Sequence, residues 1–511
     1  MTIINTGQAF CTAKRIYRKG MWQTLNKGMR LDFRLDNNLR ILNYYFTDCP
    51  DIIKKQVALK EMKRGCFIFI KEFINSDLLQ RDFIRPLMMM DYSMLSDKNI
   101  IEHLPTLNNL LCYDIDSVVT SVLEGKIVFL FDGVSFAVAC DLMNVEKRVI
   151  SEPDGEKNVR GPHDGFIESL NTNISLLRSK IKSSKLKFKS IVLGNLTNQN
   201  LAIAYIEGIA NPEIVNNFYN KISNIKIDGL LSIGYIEQLI VDSKLSVFPQ
   251  YIATERIDRS VAALLEGKVV VLLDGIPYAL IAPISFSSFF DAPDDYSSNW
   301  IPGTIIRFVR FLSVITTLTL PGIYISITSF QYYLIPTDIL VQLGKSRTAV
   351  AFPPVAEALM MEFTVQMIRE ASIRLPTYIG ATIGVVGGII IGQAAVSAGI
   401  VSNLFIIVVG IMAIASYVTP NYEFGMTITV LRISILLMAS LFGIVGMITC
   451  FSLLLMHLLS LESLGQPYFA PIMPLKIQDI KDTIIRFPLK FMKRRPNTAQ
   501  PIEKRRSGEG E

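Results

Sequence analysis

The sequence predicts a chain in two parts: an α/β region of two related subdomains, followed by an α-helical polytopic membrane domain. Three observations predict it. The long charge-free runs all lie in the C-terminal half, residues up to about 303 have ordinary globular composition, and an internal duplication sits within that N-terminal region. Across 511 residues, half are hydrophobic, 19% are charged and the mean hydropathy is +0.37. Those values exclude a disordered chain and a single soluble domain.

Residues 1–60 read as a variable basic segment, with Lys14, Arg15, Arg18, Lys19, Lys27 and Arg30 but no apolar core of signal-peptide length. We therefore expect no cleaved signal and a cytoplasmic N-terminus. Residues 61–160 and 161–303 are assigned to the first and second α/β subdomains. Their clearest link is Leu-Glu-Gly-Lys-Ile-Val-Phe-Leu-Phe-Asp-Gly at 123–133, which recurs as Leu-Glu-Gly-Lys-Val-Val-Val-Leu-Leu-Asp-Gly at 265–275, an offset of 142. Apolar runs flank each Asp-Gly, so Asp132 and Asp274 are assigned to two-residue type I′ hairpin turns rather than to catalysis. The cations Arg178, Lys180, Lys182, Lys185, Lys187 and Lys189 occur without an acid among them. A solvated helix end is the expected explanation, with anionic lipid or an acidic partner as the alternative.

Enzyme chemistry finds no foothold in the sequence. The six cysteines at 11, 49, 66, 112, 140 and 450 form no C-x-x-C pair and fit isolated reduced thiols, and three histidines are too few for a His-rich metal site. Phosphate-loop, dinucleotide, G-x-S-x-G and H-E-x-x-H patterns are missing from the sequence. His163 and Asp164, in Gly-Pro-His-Asp-Gly, read as loop punctuation. The expectation is a chain without catalytic residues, metal or cofactor.

The membrane domain is placed at 304–470. Charge-free runs cover 311–337, 375–422 and 433–461, of 27, 48 and 29 residues. About 20 helical residues cross a bilayer, so the runs give one, two and one passages, four in all, with a turn near 399–403. Five or six stay open, because 338–374 is also apolar-rich and the third run is longer than one passage needs. Arg307 and Arg310 precede the first run, and the tail at 471–511 carries five lysines and five arginines against five acids. Both ends are then cytoplasmic, and the net charge of +6 reads as partly an anchor to membrane lipid, with no nucleic-acid partner.

Several residues within this domain are candidates for pore or gating roles. Pro321 lies mid-run and is expected to kink or break its helix. Pro354 opens a helix to Arg374 in which Glu362, Gln366 and Arg369 fall at i, i+4 and i+7, a polar stripe facing either water or a polar interior. Gly380, Gly384, Gly388 and Gly392 recur every four residues and make a smooth helix-packing face. The alternative to plain helix packing is a helix lining a symmetric pore, with that face against a neighbour and Thr382, Val385 and Val386 turned elsewhere, and Gln393 is the most polar side chain of that span.

The residues also resemble a known family, the A subunits of bacterial spore germination receptors (the GerA family). In the soluble half the likeness rests on Val-Arg-Gly-Pro-His-Asp-Gly-Phe-Ile-Glu-Ser-Leu-Asn-Thr-Asn-Ile at 159–174, Tyr-Ile-Glu-Gly-Ile-Ala-Asn-Pro at 205–212 and Thr-Glu-Arg-Ile-Asp-Arg at 254–259. In the membrane half it rests on Thr-Leu-Pro-Gly-Ile-Tyr-Ile-Ser at 319–326, Phe-Pro-Pro-Val-Ala-Glu-Ala-Leu at 352–359 and Ile-Arg-Glu-Ala-Ser-Ile-Arg-Leu-Pro at 368–376. Ile-Gly-Gln-Ala-Ala-Val at 391–396 and Lys-Asp-Thr-Ile-Ile-Arg-Phe-Pro at 481–488 complete it. His163-Asp164 stands where many relatives would carry Arg-Glu.

The resemblance implies a multi-pass protein of the spore inner membrane, working with a transporter-like B subunit and a lipoprotein C subunit. It further implies a homo-oligomer that forms a nutrient-gated cation channel and so begins germination. The alternative is a membrane-anchored scaffold or signalling adaptor that recruits other germination proteins without conducting ions.

Overall fold

Continuous apolar pentads mark strands buried on both faces, and two of them form the centres of two sheets. The computed structural model describes residues 28–59, 63–74, 79–89, 109–141, 153, 155, 156, 158, 160–375, 377–483 and 485–506, with backbone alone at 82, 83, 86, 89, 377–386, 477 and 478. In the first sheet β1 (Ile52–Ala58), β2 (Arg64–Ile70), β3 (Asn109–Cys112), β4 (Ile127–Phe131) and β5 (Ala137–Cys140) take the order β1-β2-β4-β5-β3. The second comprises β6 (Leu186–Leu193), β7 (Gln199–Ile206), β8 (Ile252–Thr254), β9 (Val269–Leu273) and β10 (Ala279–Ala282) in the order β6-β7-β9-β10-β8. Every pairing in both is antiparallel. The first sheet thus begins within the N-terminal stretch that the sequence left outside the subdomains.

The duplication extends well beyond the repeated eleven residues. Helices α1 (Leu35–Tyr45) and α2 (Ile115–Leu123) of the first subdomain correspond to α3 (Leu170–Lys180) and α6 (Ile257–Leu265) of the second; the second adds α4 (Pro212–Ser223) and α5 (Ile233–Ile240). The Asp-Gly pairs are turns, but not the expected ones. Residues 132–136 and 274–278 connect the hairpins, and neither Asp132 nor Asp274 has the positive φ that type I′ requires. Each carboxylate instead caps a helix: Asp132 Oδ1 accepts from the Leu35 amide at 3.0 Å and Asp274 Oδ1 from the Leu170 amide at 3.1 Å. The following glycines, at φ +87° and +84°, each donate to a carbonyl just before the same helix, both at 2.7 Å. Satisfying an orphan helix N–H opens the loop from two residues to five.

The six-cation stretch does not simply meet solvent. Arg178 is fully buried, donates from Nε and Nη2 to the two carboxylate oxygens of Asp51 at 2.8 and 3.0 Å, and lies over the Phe188 ring. Buried Lys187 donates to the carbonyls of Tyr45 and Thr47 at 2.9 and 2.7 Å. Two of the six cations therefore join the subdomains, because the carboxylate and carbonyls opposite them come from far away in sequence.

After the short helix α7 (Pro293–Ser297), the helical half contains α8 (Trp300–Ser329), α9 (Thr337–Arg347), α10 (Pro354–Arg374), α11 (Thr377–Ser397), α12 (Asn403–Tyr417) and α13 (Tyr422–Ser460). Among the described residues α8 and α13 are long and apolar enough to cross a membrane, and α12 is a shorter apolar helix. Helix α8 runs unbroken through Pro321, against expectation, and Gly322 beside it lets Met447 and Ala439 come close. The reversal falls at Gly443, whose φ of +62° interrupts α13. Thr427 donates to the Val247 carbonyl and His457 meets Ser246, both at 2.9 Å, although a straight helix would hold Thr427 and His457 about 45 Å apart. Helix α13 is accordingly two antiparallel arms, before and after Gly443.

Contacts along the bundle fix the direction of each helix. Tyr324, late in α8, bonds Ser402 at the start of α12 at 2.9 Å, whereas Arg369, late in α10, reaches Thr429 in the outgoing arm. Helices α8, α10, α11, α12 and the two arms therefore make six alternating passes away from and back to the soluble half. The turn between α11 and α12 falls at 398–402, as the sequence predicts.

The tail returns to the soluble half as well. Ile502 donates to the Ile209 carbonyl at 2.9 Å, and buried Arg495 and Arg486 donate to the carbonyls of Leu265 and Ser298, both at 2.8 Å. Those two arginines are internal fasteners and not lipid-facing charges.

Candidate functional site

Hydrocarbon-facing helices rarely carry charge, so the buried ionisable groups of the bundle are its most informative residues. Glu362 in α10 and Arg432 in the outgoing arm of α13 form a direct ion pair, with side-chain exposures of 6% and 1%. One turn along α10, Gln366 donates to the Met426 sulfur at 3.7 Å. Arg369, also buried, hydrogen-bonds the Ser416 hydroxyl, lies 3.4 Å from Thr429 Oγ1 and covers the Tyr417 ring at 5.0 Å. The stripe at 362, 366 and 369 thus faces a polar interior. Glu370 and Arg374, on the other side, are more exposed and pair with each other at 2.6 Å.

A second cluster lies at the far end of the bundle. Glu357, fully buried, accepts from the Ser402 amide at 3.2 Å and pairs with Arg347 of α9 at 3.2 Å, while the Ser402 hydroxyl meets Tyr324. Helices α8, α9, α10 and α12 are locked there through one carboxylate. Breaking a buried pair by removing one partner leaves an uncompensated charge and costs about 3–5 kcal/mol.

The third cluster joins the bundle to the soluble half. Arg307 and Arg310, expected as flanking charges, are both buried. Arg310 donates from Nη1 and Nη2 to the two oxygens of Asp295 at 2.7 and 2.9 Å, and Arg307 donates to Asp482 of the tail at 3.0 Å and lies 3.2 Å from Asp291. Burial pushes the Asp291 carboxyl up to about 7, against the pull of Arg307. Phe424, at the start of α13, stacks on Phe289 and meets Phe290 edge-on, so apolar packing crosses the same junction.

The remaining sequence-derived candidates fall elsewhere. Pro321 is buried in α8. Gly392 has Ile406 as its neighbour, whereas a Cβ at Gly388 would meet open space, and Gln393 is exposed. Gly380, Thr382, Gly384, Val385 and Val386 lie outside the residues whose side chains are described. Arg432 escaped the sequence reading, although a lone arginine immediately before a 29-residue charge-free run invites a search for a carboxylate in another apolar helix. The partners Asp295, Arg347 and Ser402 carried no comparable signal.

Residues 40–498 match the family described as Bacillus/Clostridium GerA spore germination protein. The chain belongs to the GerA family. It is 38% identical over 476 residues to spore germination protein B1 of Bacillus subtilis (strain 168), spanning 93% of this chain and 99% of that protein. It is 35% identical over 480 residues to the uncharacterized membrane protein YfkQ of the same organism, spanning 93% of each. It is also similar to the crystal structure of the N-terminal domain of the A subunit of the Bacillus megaterium spore germinant receptor GerK3, at 26% identity and a TM-score of 0.41, covering 51% of this chain and 98% of that one. The GerA match takes in both soluble subdomains and all six passes of the bundle.

Proposed function

We propose that this GerA-family germination receptor subunit spans the spore inner membrane six times, keeps both chain ends on the cytoplasmic side and oligomerises around a gated cation pore. It works with a transporter-like B subunit and a lipoprotein C subunit, whose nutrient occupancy shifts the pore between closed and open states. Such gating needs contacts that differ between the two states.

The observation that carries the reading is the position of α11. It packs on α10 and on α12, and it leaves Gly388, Ile389, Ile390 and Gln393 exposed. An apolar helix with a glycine opening and an amide on its free side suits a neighbouring copy and a narrow aqueous path. In this scheme Glu362, Arg432 and Arg369 hold the subunit's own helices in place, and the free side of α11 at Gly388 and Gln393 faces the assembly. Six passes, the upper count left open by the sequence, also return the chain to the side from which it left.

The test is monovalent-cation efflux from liposomes that carry the protein with its partner subunits, with and without candidate nutrients, comparing wild type with Gly388→Leu. Nutrient-triggered flux, lost in the variant while assembly persists, is the expected result. Intact complexes that bind nutrient but pass no ions would favour the adaptor reading.

A further inference from the structure

The second subdomain carries an apolar surface that none of the described residues covers. Helix α5 buries Ile233, Ile236 and Ile240, while Tyr235 and Leu239, one turn apart, are 41% and 48% exposed on its outer side and Leu231, just before its N-cap, is 77% exposed. The loop that follows continues the surface: Leu245 is 99% exposed and Val247 44%, with exposed Lys244 beside them. Folding would ordinarily withdraw such leucines from water, so a surface of this kind calls for an apolar occupant.

The position of this loop identifies the occupant. Val247 accepts a hydrogen bond from Thr427 in the second turn of the outgoing α13 arm, and Ser246 meets His457 in the last turn of the returning arm. Residues 246 and 247 are thereby pinned at the level where both arms leave the soluble half. Helix α5 leads straight into this loop, ending at Ile240. Farther along, the arms expose Val430, Leu437 and Leu453. Apolar side chains are thus exposed both on the arms and on the loop pinned to their ends, and a lysine stands beside that loop where a headgroup phosphate would be.

We infer that the 242–248 loop at the end of α5 forms an interfacial wedge, with Leu245 inserted among lipid headgroups and upper acyl chains and Lys244 at phosphate level. The inference rests on the membrane-spanning reading above. The wedge holds the second subdomain against the bilayer surface at a fixed height, a restraint that the first subdomain lacks in the described residues.

The test uses the full chain in vesicles of phosphatidylcholine and phosphatidylglycerol, in a Cys11→Ser background where the other five cysteines are buried. An environment-sensitive fluorophore is attached at Leu245→Cys, at Leu453→Cys on the returning arm and at Phe33→Cys in the first subdomain, and nitroxide lipids labelled near the headgroup or deep in the chain serve as quenchers. Quenching of Leu245→Cys by the shallow label more than by the deep one, with Leu453→Cys quenched and Phe33→Cys untouched, is the expected pattern. Quenching at 453 without quenching at 245 overturns the wedge and leaves the spanning reading standing. A blue-shifted but unquenched probe at 245 also overturns it, by assigning the surface to a protein contact. Absence of quenching at both positions removes the spanning reading, and the wedge with it.

Discussion

The two subdomains share a strand order, a helix placement and a capping aspartate, yet among the described residues the second alone is welded to the bundle. The first sheet's described core is closed on itself, from Leu31 to Cys140. The second sheet has a cluster on each face, and one of these runs on without interruption through Phe286, Phe289 and Phe290 to Phe424, Leu431 and Leu458. The first copy touches the second through the Asp51–Arg178 pair and the backbone around 45–51. One architecture used twice has become a coupling module in one position and an appended module in the other, and the difference lies in what covers the outer sheet face.

The sharpest way to break this asymmetry is to remove a buried carboxylate from each joint. Asp295→Ala leaves Arg310 buried without its acid and is expected to lower unfolding stability by about 3–5 kcal/mol, in a transition shared by the second subdomain and the helices. Asp51→Ala strands Arg178 in the same way. It is expected to free the first subdomain alone, which limited proteolysis followed by sizing of the fragments would register. Should Asp51→Ala loosen the bundle as much as Asp295→Ala does, the two copies are not unequal partners.

A more moderate effect comes from pH. Burial, and then the charge of Glu423, push the Glu237 carboxyl up to about 8 from an ordinary 4.5. Between those values the folded chain keeps a proton that the unfolded chain has released. The stability contributed there is complete below about 4.5 and is lost as pH rises through about 8. Thermal unfolding of the second subdomain with the bundle should therefore weaken between about pH 5 and 8, and Glu237→Gln should flatten that slope; an unchanged slope would leave the coupling of α5 to α13 without support.

The smallest effects sharpen the comparison from the other side. Asp132→Ala and Asp274→Ala each remove one cap from an equivalent helix and should each cost about 1 kcal/mol, measured by denaturant unfolding. Closely similar losses would mark the caps as a shared inheritance of the duplication. Unequal ones would mean that helix α3, next to the joint, is held by more than its cap.

Much of the bundle was legible because hydrocarbon excludes charge. The first charge-free run starts immediately after Arg310, which is where the chain leaves the ion pairs of the junction, and the predicted turn near 399–403 matches the break between α11 and α12. The reversal was not legible. Proline advertises a missing hydrogen bond, but a helix can lose one and continue, as at Pro321, while Gly443 looks like any small residue of a membrane helix until its φ is known. The split of α10 into buried Glu362 and Arg369 against outward Glu370 and Arg374 was half legible: spacing defined the stripe, but which way it faced depended on Arg432, Ser416 and Thr429, residues about 50 to 70 positions away in the chain. The buried use of Arg178 and Lys187 was hidden for the same reason.

The return of the tail has a consequence for how the chain is built. Ser463, Leu464 and Tyr468 fill the core of the second subdomain, with the Ser463 hydroxyl bridging the Ile284 amide and the Gln250 carbonyl, and Tyr468 fully buried. The ribosome finishes the two sheets long before it reaches those residues, since the whole helical half is synthesised in between. The second subdomain must wait as an incomplete shell while the helices are made, and it closes only after the last arm has returned. Its final folding step thus doubles as an inspection: a chain whose arms have failed to pair has no way to bring its own keystone home.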